Sequence, residues 1–303
     1  MKKIAIIILI IISLTIGIML GFRTTSFNKD ITSLSEQSNK KPELDIKKDE
    51  SEISKPVKGE HVVIVSTYGP SVDGSPFYEA YIKKVVDYIT NDNNKINRII
   101  IIGGYSLDKN KSQPQAVLEF IQKNYPEIKQ LKTEVILEEC GIKTWQSIQF
   151  VKKLLDKNNI KPGKFTIFAE ESRTEKVAFF ANASFLPISE QEKEEILKEI
   201  EPISKLSEEE RLKAFNKIDS YKIGKYVKES DFIKIITEDS NLPQEYDDQQ
   251  HWTLFEETRG FLDKDYGNSL IKTRLKDWSD KAGFSVAKNL VSKGCGDFRE
   301  FVE

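Results

Sequence analysis

The spacing of hydrophobic positions changes along the chain, and this change predicts the order of its elements. From position 61 onwards, short apolar and β-branched runs alternate with segments in which apolar residues recur every three or four positions. The short runs are typical of buried strands and the longer periods of amphipathic helices. Strands are predicted at 61–66, 98–102, 134–139 and 164–170. Helices are predicted after them, at 76–90, 113–124, 144–158 and 173–183.

This alternation predicts an α/β fold, a Rossmann-like parallel sheet with helices on both faces. Strands that are apolar on both sides need cover on both faces, and right-handed crossovers place helices there. In such sheets, ligands bind beyond the carboxyl ends of the strands. The segments that follow strand ends are therefore candidates for a binding site, and they are 67–76, 103–112, 138–144 and 169–176.

The strand signals fade beyond position 186, and the sequence predicts a C-terminal helical extension over 187–303 that packs in part on the sheet domain, 59–186. A capping box, Ser189 followed by Glu192, begins a predicted helix at 189–201. The same device recurs at 207–218. The segment "DFIKIITE" fits either a helix or a strand.

The N-terminal segment, 1–23, is predicted to be a transmembrane helix that anchors the protein through residues 4–22. Two lysines precede this uncharged run, whose 19 positions would span close to the roughly 30 Å of a bilayer core. A cleaved signal peptide is the alternative, although its apolar region is usually about 7–15 residues and ends at a small-x-small site. The sequence after the run, "IMLGFRTTS", lacks such a site.

The next stretch, 24–58, is predicted to be a flexible linker because it is rich in Ser, Lys, Asp and Glu and poor in large apolar residues. Lysines before the apolar run favour a cytoplasmic N-terminus and an extracytoplasmic globular part.

The whole chain carries 46 basic and 48 acidic side chains. This balance predicts no nucleic-acid partner, which would favour a basic domain or stripe.

Two cysteines and two histidines do not form a pattern with metal-ligand spacing, so no metal site is predicted. Cys140 and Cys295 are expected to be unpaired thiols, although one bridge could form in an oxidising compartment. The G-x-S-x-G motif of α/β-hydrolases is absent from the sequence.

A glycine pair and a glutamate pair stand at predicted strand ends. Gly103 and Gly104 could aim backbone N–H groups at an anion, or could simply form the bend between strand and helix. The stretch "GGYSLDKNKS" matches neither G-x-G-x-x-G nor G-x-x-x-x-G-K-[ST]. Glu138 and Glu139 end the third strand, where a carboxylate could act as a base or bind a metal. A solvated pair is the simpler interpretation.

The order of these pieces resembles the YdcF-like family, the SanA/ElyC-type envelope proteins. That family pattern runs from a strand and two glycines to S-E-A-E-A, then to I-L-E-D-x-S-x-N-T-x-E-N, then to T-S-x-Y-H-x-x-R-A. The corresponding stretches are "IIGGYS", "SQPQAVLEFI", "VILEECGIKTWQSIQF" and "FAEESRTEKVAFFA". The resemblance covers roughly residues 61–185, under half of the chain.

Several polar positions depart from the family pattern. The two acids of S-E-A-E are replaced by Gln113 and Gln115, which can neither act as bases nor carry negative charge. The family histidine falls on Arg173, its arginine on Lys176, and an asparagine on Lys143. Glu139 takes the place of the family aspartate. The positions that match the family are Gly103, Gly104, Ser112, Glu138 and Thr144.

The resemblance, with these departures, implies a bacterial envelope protein that binds a small anionic or nucleotide-like ligand. Added positive charge suits a phosphate group. The implied ligand contacts are Gly103, Gly104, Ser112, Gln113, Gln115, Lys143, Thr144, Arg173 and Lys176. Any cofactor is left unidentified. One alternative is a non-catalytic scaffold that binds other envelope proteins through its helical tail. Another is a hydrolase or transferase that uses Glu138 or Glu139.

Overall fold

The computed structural model describes residues 59–67, 76–105, 108–186, 188–204, 206, 210, 223–238 and 244–302. The predicted anchor and linker lie outside these residues, as does the predicted helix at 207–218 apart from Glu210. Within the described part of the chain, no helix combines the length and the apolar character that crossing a bilayer requires.

The centre of the fold is a sheet of five strands, and every neighbouring pair is parallel. In chain order the strands are β1 (Glu60–Ser66), β2 (Arg98–Ile102), β3 (Glu134–Glu138), β4 (Pro162–Glu170) and β5 (Ile233–Glu238). Across the sheet they run β3-β2-β1-β4-β5. The α/β prediction and its first four strands are confirmed. Because the strand order reverses at β1, the crevice between the carboxyl ends of β1 and β4 is the topological switch point.

Eight helices are described, and the first four occupy the predicted places to within a few residues. They are α1 (Pro76–Ile89), α2 (Gln113–Asn124), α3 (Thr144–Lys157), α4 (Thr174–Phe185), α5 (Glu190–Ser204), α6 (Gln244–Leu262), α7 (Lys264–Ala282) and α8 (Val286–Ser292). The capping box at α5 is confirmed, because the Ser189 N–H donates to Glu192 Oε2 at 2.6 Å and the Glu192 N–H donates to Ser189 Oγ at 3.2 Å.

The sheet is covered on both faces because alternate strand residues point to opposite sides. Val62 and Ile64 of β1 belong to one core cluster, which also contains residues of α3, α4, α5 and α6. Val63 and Val65 belong to a second cluster, formed with α1 and α2. Each fully buried aliphatic side chain of this kind contributes about 1.5–3 kcal/mol to stability.

The C-terminal part of the chain shares the core of the sheet. Leu254 of α6, Ile271 of α7 and Leu290 of α8 lie in the same hydrophobic cluster as the strand residues on that face. The ambiguous segment 231–238 contains strand β5, which pairs with β4 at the edge of the sheet. The predicted extension is therefore not helical throughout, and one of its elements completes the sheet.

Cys140 and Cys295 form a disulfide bond, so the expectation of two unpaired thiols is wrong. The two residues are 155 positions apart, and they meet only because the C-terminal part folds back onto the sheet. Their separation in sequence gives no sign of this contact. The bond ties the end of the chain to the loop that follows β3.

Candidate functional site

The turns that follow the strands meet at one edge of the sheet, as their parallel direction requires. Thr67 follows β1, and its hydroxyl donates to the carbonyl of Ile102 at the end of β2, at 2.8 Å. Arg173 follows β4, and its Nη1 donates to the carbonyl of Thr67 at 3.2 Å. The guanidinium therefore reaches across the switch point between β4 and β1.

The glycine pair provides close backbone packing at this edge. A Cβ atom on Gly103 would lie 2.2 Å from Thr67 Oγ1, and one on Gly104 would lie 2.0 Å from the carbonyl oxygen of Gly141. The Gly103 N–H donates to the carbonyl of Glu138 at 3.1 Å. Neighbouring atoms of the chain thus explain both glycines, and the Gly103 donor is engaged within the fold.

Glu138 is a buried carboxyl group in the turn after β3. Its side chain is 4% exposed, and Oε1 accepts the N–H groups of Cys140 at 2.7 Å and Gly141 at 3.0 Å. Burial raises the pKa of Glu138 to about 8, although the N–H groups of Cys140, Gly141 and Gly103 and the Ser147 side chain favour the carboxylate. At pH 7 this group is mostly a neutral acid that organises the turn.

Glu139 is half-buried and faces the loop between β2 and α2. Its Oε1 accepts the hydroxyl of Ser112 at 2.5 Å and that of Tyr105 at 3.3 Å. Ser112 also caps α2, because its Oγ accepts the N–H of Gln115 at 3.1 Å. The Ser112 hydroxyl is therefore occupied in joining the β2 and β3 turns.

The two glutamines at the start of α2 have different surroundings. Gln113 Oε1 lies 3.3 Å from Thr67 Oγ1, which places it at the edge between β1 and β2. Gln115 Nε2 donates to Glu119 Oε1 at 3.0 Å, along its own helix. Only Gln113 is shown in contact with a strand end.

Lys176 of α4 forms a buried ion pair with Glu257 of α6. Each residue is 4% exposed, and Lys176 Nζ lies 3.4 Å from Glu257 Oε1 and 2.8 Å from Thr253 Oγ1. Burial lowers the pKa of Lys176 to about 8, against the attraction of Glu257, and the nearby charges of Arg173 and Lys143 lower it further. Lys176 therefore remains mostly protonated at pH 7.

Glu257 is the acid at the centre of this cluster. Burial favours its protonated form, but the charges of Lys176, Lys143 and Arg173 hold the pKa of Glu257 below its ordinary value. Its Oε2 accepts the N–H of Thr144 at 3.1 Å. The carboxylate thus bridges a buried lysine and the first residue of α3.

The Glu257 carboxylate lies at the N-terminus of α3. The preceding residue, Lys143, has a non-helical backbone but makes no side-chain cap. Glu257 supplies the missing acceptor from another helix. Exposed N–H groups and the helix dipole favour an anion at such a position.

Three cations act on the carboxylate of Glu257. Lys143, Arg173 and Lys176 each lower its pKa through their positive charge. Lys143 and Arg173 are half-buried, whereas Lys176 is closed from solvent. The cluster can therefore offer two partly accessible cations to an anion.

Apart from Gln115, which contacts Glu119 on its own helix, the sequence-predicted residues fall into two groups that meet at Thr67. Lys143, Thr144, Arg173 and Lys176 surround Glu257. Thr67, which accepts from Arg173, links this cluster to the second group through its contact with Gln113. The second group joins the turns after β2 and β3, and it comprises Gly103, Gly104, Ser112, Gln113, Glu138 and Glu139.

Sequence reasoning missed Glu257 because it lies in the predicted extension, far from every strand end. One signal was present. Glu257 shares a helix face with Leu254 and Phe261, and a glutamate among apolar positions is almost never fully buried unless it is paired. That pattern indicates a buried partner without identifying it.

The end of the chain also reaches the loop between β2 and α2. Asn289 Nδ2 of α8 donates to the carbonyl of Lys109 at 3.2 Å. Lys293 Nζ lies over the ring of Tyr105, 5.4 Å from its centroid. Together with the disulfide, these contacts place the last described segment beside the strand ends.

No protein-family model, curated protein or solved structure matches the chain. Among the residues that the structure describes, no three His, Cys, Asp or Glu side chains stand where they could share a metal ion. The likeness to the YdcF-like family and the absence of a metal site therefore stay predictions.

Proposed function

We propose that this protein is a membrane-anchored bacterial envelope protein of the YdcF-like type whose sheet domain binds a small anionic ligand that carries a phosphate group, such as a nucleotide-like molecule. One observation supports the binding step. Three cations lie at the carboxyl edge of the sheet. Lys176 pairs with Glu257, Lys143 directly precedes the Thr144 N–H that this carboxylate accepts, and Arg173 donates to the carbonyl of Thr67. Positive charge beside a helix N-terminus favours phosphate.

The two half-buried cations would have different roles. Arg173 is held across the switch point by its bond to the Thr67 carbonyl, and a guanidinium can donate to two phosphate oxygens at once. Lys143 stands at the start of α3 and adds a point charge beside the N–H groups of that helix. The ligand phosphate would therefore lie between the turn after β4 and the start of α3.

Binding of inorganic pyrophosphate to the purified full-length protein in mild detergent tests this function. We expect the Lys143→Gln/Arg173→Gln variant to bind at least ~10-fold more weakly in a calorimetric titration, because two charge-assisted contacts are lost. The matched control is Lys132→Gln/Lys164→Gln, which removes two exposed lysines at the amino ends of β3 and β4. Equal affinity in all three proteins would contradict the proposed site.

The proposed location outside the cytoplasm rests on the N-terminal apolar run and is supported by the disulfide, because stable disulfides belong to oxidising compartments. A protease that cannot cross the membrane, added to protoplasts, should digest the globular part. Protection of that part until the protoplasts are lysed would contradict this location.

The two alternatives stay predictions, because no described contact favours either of them. Of the two acids in the hydrolase hypothesis, Glu138 is closed from solvent and Glu139 accepts from Ser112 and Tyr105. In the scaffold hypothesis the tail is the binding surface, whereas side chains such as Glu257 are turned towards the sheet edge.

A further inference from the structure

Glu257 occupies the part of the cluster that suits a ligand anion. One oxygen of its carboxylate contacts the ammonium group of Lys176 and the other accepts the N–H of Thr144 at the start of α3. These are the two kinds of contact, a cation and a helix N-terminal N–H, with which proteins bind phosphate. The chain thus places its own carboxylate where the proposed ligand would bring an anionic group.

The seam between α3 and α6 is incompletely hydrogen-bonded. Trp145 Nε1 of α3 is buried without a partner among the described residues, and it lies 3.7 Å from the position of a Cβ on Gly260 of α6. Thr258 Oγ1, on the residue that follows Glu257 in α6, is also buried without a partner among those residues. Buried polar groups left unpaired cost stability. The contact between α3 and α6 is therefore held less tightly than a fully paired one.

We propose that Glu257 is a resident anion that the ligand displaces, so that helix α6 closes the site until a phosphate-bearing molecule takes its place. This inference rests on the proposed function, since it concerns the same cluster. In the absence of ligand, the Glu257 carboxylate neutralises the charge of Lys176 and accepts the N–H at the start of α3. An anion with a single charge therefore gains little by replacing it.

The inference also defines the class of ligand. A displacing group has to match the charges of Lys143, Arg173 and Lys176 better than one carboxylate does, and it has to supply an acceptor for the Thr144 N–H. A phosphate that carries two negative charges or a pyrophosphate meets both conditions. A monoanion such as acetate meets only the second, so the closed site selects for multiply charged phosphates.

The test compares pyrophosphate binding by the full-length wild-type protein and its Glu257→Gln variant. Glutamine keeps an oxygen that can accept from Thr144 but removes the competing charge. We expect the variant to bind pyrophosphate at least ~10-fold more tightly and to lose part of the discrimination against acetate. The control is Asp280→Asn, which removes one exposed acid from α7, and it should bind as the wild type does.

A second measurement uses the wild type alone, so it does not depend on the folding of a variant. Hydrogen exchange of peptides from α6 should become faster when pyrophosphate binds, because Glu257 leaves its contacts, while exchange at the start of α3 should become slower. Exchange in α6 that stays unchanged or slows on binding would contradict displacement.

The outcomes separate this inference from the function on which it rests. If neither the wild type nor Glu257→Gln binds pyrophosphate, the proposed function fails and the inference falls with it. If both bind with equal affinity, or if Asp280→Asn tightens binding as much as Glu257→Gln does, the anion site stands and displacement of Glu257 is wrong.

Discussion

The carboxylate of Glu257 accepts the backbone N–H of Thr144 at 3.1 Å, although the two residues are 113 positions apart in the chain. The contact joins a C-terminal helix to the helix that follows β3. Because the same carboxylate is paired with Lys176, one side chain connects α3, α4 and α6. The stability of the sheet edge therefore depends on a residue outside the sheet.

The first prediction concerns this buried pair. Glu257→Ala should lower the free energy of unfolding by about 3–5 kcal/mol, because it leaves the Lys176 ammonium buried without its carboxylate. Urea denaturation followed by circular dichroism measures the change. Lys176→Met/Glu257→Leu is the matched control, and it should recover most of the loss since apolar residues of similar volume often replace a buried pair without cost. A loss below about 1 kcal/mol in Glu257→Ala would contradict the pair's role.

The second prediction is a pH dependence caused by Glu138. Its pKa is about 8 in the folded protein against an ordinary 4.5, so between these values the folded state binds more protons than the unfolded state. Stability therefore falls as pH rises from 4.5 to 8, by on the order of 3–5 kcal/mol from this group.

Glu138→Gln should remove this dependence, because glutamine resembles the neutral acid at every pH. Urea denaturation at pH 5 and pH 8 measures the effect, with the exposed Glu127→Gln as control. The Glu138→Gln variant should gain stability over the wild type at pH 8 and little at pH 5. Parallel pH profiles of the variant and the wild type would contradict a buried neutral Glu138.

The third prediction concerns the disulfide. Cys140→Ser/Cys295→Ser should lower the free energy of unfolding by about 3–5 kcal/mol, because the bond closes a long loop in the unfolded chain. A reducing agent should lower the stability of the wild type by a similar amount and leave the variant unchanged. If the reducing agent has no effect on the wild type, the bond does not constrain the chain.

The fourth prediction separates the two glycines. Gly103→Ala should destabilise the protein by about 1–3 kcal/mol because its Cβ would overlap Thr67 Oγ1, and adding Thr67→Ala should relieve much of this. Gly104→Ala meets a backbone carbonyl, that of Gly141, which no side-chain truncation can remove. Gly224→Ala, whose nearest neighbour is 3.7 Å away, is the control. If Gly103→Ala and Gly104→Ala are as thermally stable as Gly224→Ala, the two glycines are not closely packed.

Much of the sheet could be predicted from the sequence because its signals are local. In Arg98–Ile102 the four residues after the arginine are all apolar, as is typical of a strand that is covered on both faces. The capping box at Ser189 is predictable because a helix cap depends on neighbouring residues. The segment that forms β5 was ambiguous, since a short apolar run fits either element until a strand partner is known.

The remaining features depend on contacts that are distant in sequence. The Cys140–Cys295 bond and the Glu257–Thr144 contact both require the C-terminal part to fold over the strand ends. The sequence indicated that Lys143, Arg173 and Lys176 would lie at one edge. It gave no indication that the carboxylate of Glu257 in α6 would lie among them and form an ion pair with Lys176.

A crystal structure of the full-length protein with inorganic pyrophosphate tests the central claim most directly. The account predicts a phosphate group between Lys143 and Arg173, within hydrogen-bond distance of the Thr144 N–H, with the Glu257 carboxylate moved away from that N–H. Pyrophosphate bound elsewhere, with Glu257 still accepting from Thr144, would contradict it.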